Sequence, residues 1–198
     1  MKIVRLAIVA LALPAGLAAQ QPAAPSGTAP ANPITTVFRG RTMALQRNLA
    51  QAFDSIPESK FGYKPTPAQL TVGYIAQHLA SDNYLFCNNF GDMKATVDEK
   101  DKTTADSLKA AWPRADLVTK LKASFDFCER AFAQLDDTKL AETVNVTFGN
   151  GQSRAMPRAQ MVLGHVVDMA DHYSQIANYM RLNNMVPPTA LPRPPRAN

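Results

Sequence analysis

Between Met161 and Arg181 the chain reads MVLGHVVDMADHYSQIANYMR, and Val162, Met169, Tyr173, Ile176 and Met180 fall at helical spacing. An apolar stripe on a segment of this length specifies a long helix with one face buried. That constrains the rest of the chain to supply other amphipathic elements to cover it. The same stretch holds His165 and His172, two of the chain's three histidines, with Asp168 between them. At 100° per residue these side chains stand at about 0°, 340° and 300° around the helix axis, so they share one side. Groups able to ligate a metal therefore border a face that has to be buried. The third histidine, His78, lies in VGYIAQHLASDNYLFC, which also reads as a helix.

The other elements follow in order. Phe38, Leu45, Leu49, Ala52 and Ile56 predict a first helix from a cap at Thr35 or Thr36 to about Ser55, with Pro57 just beyond. Pro65 and Pro67 break the chain. A second helix is expected to start between Thr66 and Thr71, both suited to capping, with Val72, Ile75, Leu79 and Phe86 as its buried stripe. Gly91 and the charged run Asp98–Lys102 read as a loop, followed by a short helical piece within Thr104–Trp112. Pro113 precedes a third long helix from about Asp116. Its seam of Val118, Leu121, Phe125, Cys128, Phe132 and Leu135 steps by three and four, as in helices packed lengthwise in a bundle. Val144, Val146 and Phe148 then alternate with polar residues ahead of Asn150-Gly151, which predicts a small exposed hairpin or irregular excursion. Pro157 suits the first turn of the last helix, which should end near Asn183–Asn184. The expected fold is all-α: four long helices, one domain, and an excursion before the last helix.

The 198 residues suit one domain plus tails, and 46% hydrophobic with 19% charged residues suits a globular core. Met1–Ala19 has a basic start, an apolar run and small terminal residues, the pattern of a secretory signal peptide cleaved after Ala19 or Ala18. Broken by Pro14 and Gly16, that run is short for a membrane span. An exported protein of bacterial type, periplasmic or secreted, is expected, with no membrane span after cleavage; a retained N-terminal anchor is the other reading. Residues 20–33, rich in Pro and Ala, read as a flexible linker, 34–188 as the folded domain and 189–198 as an extended Pro-rich tail. The net charge of +5 falls to +3 without Lys2 and Arg5 of the leader, and no Lys/Arg stripe is interleaved with aromatics. Nucleic acid is therefore not an expected partner.

Cys87 and Cys128 form an even pair, which in an exported chain suggests a disulfide; two buried free thiols are the alternative. Such a bridge, 41 residues apart in sequence, would contribute roughly 3–4 kcal/mol by restricting the unfolded chain. Imidazole and carboxylate are ligands for divalent transition metals. The bland alternative is that the histidines hydrogen-bond to carboxylates such as Asp82 and Asp171.

Three stretches carry a resemblance: Phe61–Cys87, Lys120–Phe132 and His165–Pro188. In combination they resemble the DinB/YfiT-like superfamily of four-helix bundles, over about Thr35–Pro188. Members typically place one ligating histidine on the second helix and a His-x3-His pair on the fourth, around a divalent metal, often nickel or zinc. Some resemble metal-dependent transferases acting on small thiols, or isomerases and hydrolases. By that resemblance His78 and His172 are ligands, and the first position of the pair falls on Asp168. Asp168 then completes a two-histidine, one-carboxylate set, or His165 takes over, or the site has degenerated. The first keeps the i, i+4 spacing and is the one expected. A carboxylate there would lower the site's net positive charge and make a bound water less acidic. Tyr173, Tyr84 and Asp82 are candidates for supporting groups, with Tyr173 better read as a core residue. The resemblance implies a metal-dependent enzyme on an unidentified small-molecule substrate, pairing as a homodimer. A non-catalytic bundle binding a ligand or partner is the alternative.

Overall fold

The computed structural model describes residues 31–149 and 151–192. The leader expected over Met1–Ala19, the linker up to Pro30 and the last residues of the tail lie outside the described residues. Four long helices dominate: α1 (Pro33–Ser55), α2 (Val72–Cys87), α5 (Arg114–Phe132) and α6 (Arg158–Leu182). Two short helices, α3 (Glu99–Thr103) and α4 (Asp106–Lys109), fill the long connection after α2. The charged run read as a loop is thus partly helical, with Glu99 and Asp101 at the N-terminal turn where acidic groups oppose the helix dipole.

The helix ends show why the segments stop where they do. Thr71 caps α2, its Oγ1 accepting from the Tyr74 N–H at 3.1 Å. α1 instead begins at Pro33, and neither Thr35 nor Thr36 is its cap. Its free N–H groups are met from across the fold by Asp137, which accepts from Ile34 N at 3.0 Å and Thr35 N at 2.8 Å. At the other end of α1, Arg114 donates to the carbonyls of Ile56, Phe53 and Asp54 at 2.8, 3.0 and 2.8 Å. Pro157 sits one residue before α6 rather than inside its first turn. α6 ends with Asn184 at φ 57°, where Met185 N bonds to Met180 O and Asn184 N to Arg181 O, a Schellman closure.

β1 (Thr143–Thr147) and β2 (Ser153–Pro157) pair antiparallel, with Val146 opposite Arg154 and Val144 opposite Met156. The hairpin is not simply exposed. Val146 and Met156 are buried in the same cluster as Phe90, Phe132 and Val162. Gly151 takes φ 78° in the turn, a conformation glycine adopts without steric cost. The tail is partly held: Tyr173 Oη donates to Thr189 Oγ1 at 2.9 Å.

α2 lies along α5 and α6, and α1 packs on α6 and α5. Two apolar clusters stack along the bundle. One holds Leu49, Phe53, Ile75, Leu79, Leu121 and Ile176, the other Phe90, Phe127, Phe132 and Val162. Where α2 passes from one to the other, Asn83 Nδ2 donates to Ser124 Oγ at 2.8 Å, fully buried. Cys87 and Cys128 join α2 to α5 by a disulfide. Gly73 permits a close approach at the start of α2, where a Cβ would overlap the Ala110 carbonyl oxygen. None of the helices among the described residues is long and apolar enough to cross a membrane.

Candidate metal centre

α2 and α6 run side by side, and their facing surfaces bring His78, Asp168 and His172 together. One ligand atom from each lies within 4.8 Å of the others. Asp168 Oδ1 is 3.4 Å from His172 Nε2 and 4.0 Å from His78 Nε2. The two imidazoles meet edge to face, centroids 4.9 Å apart. His172 lies deepest, with its side chain 8% exposed, against 28% for His78. The open side of the cluster is therefore on α2.

The donor set fits a divalent transition ion. Such an ion holds nitrogen and oxygen ligands at about 2.0–2.2 Å, so ligands of one ion stand at most about 4.4 Å apart. The two distances from Asp168, 3.4 and 4.0 Å, lie within that limit, and the 4.8 Å bound on the whole set exceeds it by a few tenths of an ångström. Asp168 Oδ2 is also buried with no hydrogen-bond partner among the described residues. Buried polar atoms of that kind are normally matched, and an ion or water is the usual match.

Asp82, one turn beyond His78, puts Oδ2 3.5 Å from His78 Nε2. Burial pushes its carboxyl up to about 6, and Asp168 adds to the rise while His78 opposes it. Burial alone would lower His172, but the hydrogen bond and charge of Asp168 outweigh it and raise its pKa. Tyr74, one turn before His78, stacks on that ring at 6.1 Å and 26°. Its position at i−4 was available in the sequence as a signal, and spacing from His78 alone would have found it.

Other candidates stand elsewhere. Tyr173 turns to Thr189, and Tyr84 packs on Phe127 with centroids 5.7 Å apart, so neither supports the cluster. Asp171 is exposed and accepts from Gln175. His165 does not take the place of Asp168. It is fully buried beside the disulfide, its Nε2 3.9 Å from Cys87 Sγ, and ringed by Phe86, Phe90 and Phe132. Seven residues separate it from His172, about 10 Å along the helix axis. The two share a side of α6 but not a level. Cys87, Cys128 and His165 also converge, but both sulfurs are held in the disulfide.

A sequence model of the DinB superfamily matches residues 42–176. Among solved structures, a DinB-like protein from Bacillus cereus is similar at TM-score 0.59 and 14% identity, over 76% of this chain and 93% of that one. A DinB-like protein from Bacillus subtilis is similar at TM-score 0.57 and 13% identity, over 76% and 94%. A mycothiol-dependent maleylpyruvate isomerase is similar at TM-score 0.57 and 11% identity, over 72% of this chain. This chain spans 60% of the isomerase's length. At these identities the likeness concerns the fold. No curated protein matches the chain.

Proposed function

The chain belongs to the DinB superfamily, and from that premise we propose that it is a divalent-metal-dependent enzyme centred on His78, Asp168 and His172. The observation that carries the reading is the convergence of those three side chains from two helices, with Asp168 Oδ2 left unmatched in the interior. A bound ion, zinc or nickel by the family resemblance, would supply Lewis acidity and lower the pKa of a water or thiol beside it. The protein's own groups do the rest. His172 and Asp168 form the fixed, inner side. Tyr74 stacks on His78 and restricts its ring. Asp82, 26% exposed, stands on the open side as the carboxylate able to accept a proton from a substrate at Oδ2.

The reaction class we favour is hydrolysis. The mycothiol-dependent isomerase makes thiol chemistry the second reading. The leader read over Met1–Ala19 argues for export, away from the cytosolic thiol pool, and pairing into a homodimer is part of the same proposal. The test is elemental analysis of the chain purified without a histidine tag, with His172→Ala and Asp168→Ala beside it. About one equivalent of a divalent transition metal, lost in both variants, is expected. Absence of metal from the parent after incubation with zinc and nickel would overturn the reading. So would full retention in Asp168→Ala.

A further inference from the structure

A second cavity, of about 520 Å³, opens between α2, α5 and the segment 96–112. None of His78, Asp82, Asp168 and His172 lines it. Its size falls within the range of small-molecule sites. One wall is a face of α2 bearing Gln77, Ser81 and Tyr84. At 100° and 1.5 Å per residue these three share one side of the helix and rise about 6 and 10.5 Å from the first.

Both side-chain amide atoms of Gln77 are buried from solvent behind this wall, with no hydrogen-bond partner among the described residues. The hydroxyls of Ser81 and Tyr84, half-buried in the wall, make no hydrogen bond among the described residues, while Thr96 and Thr119 stand exposed at the rim. Hydroxyls and carboxamides offer donors and acceptors together, so they match ligand groups that also do both.

The charges, by contrast, are answered internally. Lys120 pairs with Asp101 at 2.5 Å and Asp98 at 3.7 Å, and Lys109 with Asp106 at 2.8 Å. Asp116 stands exposed at the rim. The interior thus calls for no net charge of either sign. The aromatic faces are also taken. Lys100 and Lys120 lie over the Trp112 ring at 4.8 and 5.3 Å, and Tyr84 packs on Phe127. What remains for a ligand's body is an aliphatic wall of Ala80, Val97, Leu117 and Ala123. That wall suits C–H faces rather than a flat aromatic ring.

We propose that this cavity is a second binding site, separate from the metal centre, for an uncharged polyhydroxylated ligand of about disaccharide length. Ser81 and Tyr84 meet ligand hydroxyls along the α2 wall. The roughly 10 Å reach of that wall spans two sugar rings.

Trp112 is the only tryptophan of the chain, so its fluorescence reports on this cavity. The full-length protein is titrated with trehalose, maltose and cellobiose, with saturation-transfer NMR on the same samples. A saturable change in Trp112 emission is expected with at least one of them. Ser81→Ala and Tyr84→Phe, checked for unchanged melting, should each weaken it about three- to tenfold, the worth of one hydrogen bond. His172→Ala should leave it intact, which separates this site from the metal centre. Failure of all three sugars to saturate would overturn the proposal. So would equal affinity in the Ser81→Ala, Tyr84→Phe double variant, or saturation by nicotinamide where the sugars give none.

Discussion

Replacing His165 by leucine removes the most deeply buried titratable group near the disulfide while roughly keeping its volume. The imidazole is 0% exposed, its Nδ1 has no partner among the described residues, and three phenylalanine rings surround it. Burial therefore pushes its pKa from 6.5 down to about 4, against a small opposing effect of Asp168. Between those two values the unfolded chain binds a proton at this residue and the folded chain does not. Stability contributed here is thus fully present above about pH 6.5 and is lost as pH falls towards 4. At about 1.4 kcal/mol per pH step, the loss is about 2 kcal/mol by pH 5 and about 3 kcal/mol near pH 4. Asp82 acts in the opposite sense. Its folded pKa, raised to about 6, makes the fold relatively more stable as that carboxyl protonates. The parent's own pH profile mixes these with His172, whose raised pKa contributes stability that is lost as pH rises, so the quantity to read is the difference between His165→Leu and parent. Urea unfolding without reductant, at about pH 7.5, 6 and 5, should show the variant gaining about 2 kcal/mol on the parent across the range. A difference constant to within about 0.5 kcal/mol would mean that the folded imidazole titrates normally, and the reasoning from burial would fail.

Gly73→Ala should destabilise by about 1–3 kcal/mol in the same assay, because the atom in its way is the backbone oxygen of Ala110, which cannot rotate aside. Arg114→Ala should cost about 1.5–3 kcal/mol through the carbonyls it leaves at the end of α1; a loss below about 0.5 kcal/mol would show that water replaces it freely. Reducing the Cys87–Cys128 bridge should lower the unfolding free energy by roughly 3–4 kcal/mol, and the Cys87→Ala, Cys128→Ala double variant should no longer respond to reductant.

Much of the architecture was legible because helical period and end signals are local. The stripe on α6, the seam of α5 and the Thr71 cap each depend on residues within a few turns of one another. The Asn150-Gly151 signal marked the hairpin for the same reason. Where the sequence reading slipped, the partner came from afar. Asp137 caps α1 from a hundred residues away, which no local pattern at Thr35 or Thr36 could announce. The hairpin looked exposed because the cluster that covers its apolar side, Val146 and Met156, is built by three helices brought together only in the fold.

The candidate centre divides along the same line. Sequence alone determined that His165, Asp168 and His172 project from one side of one helix, since that follows from angle per residue. It also put Asp82 and Tyr74 one turn either side of His78. Which histidine meets which is a question of height along the bundle, and only the packing of α2 against α6 decided it. Because the two helices are set so that His78 lies level with Asp168 and His172, Cys87 falls level with His165 instead. A shared angle left His165 and His172 equal candidates; about 10 Å of axial rise sent one into an aromatic cage and the other beside Asp168 and His78.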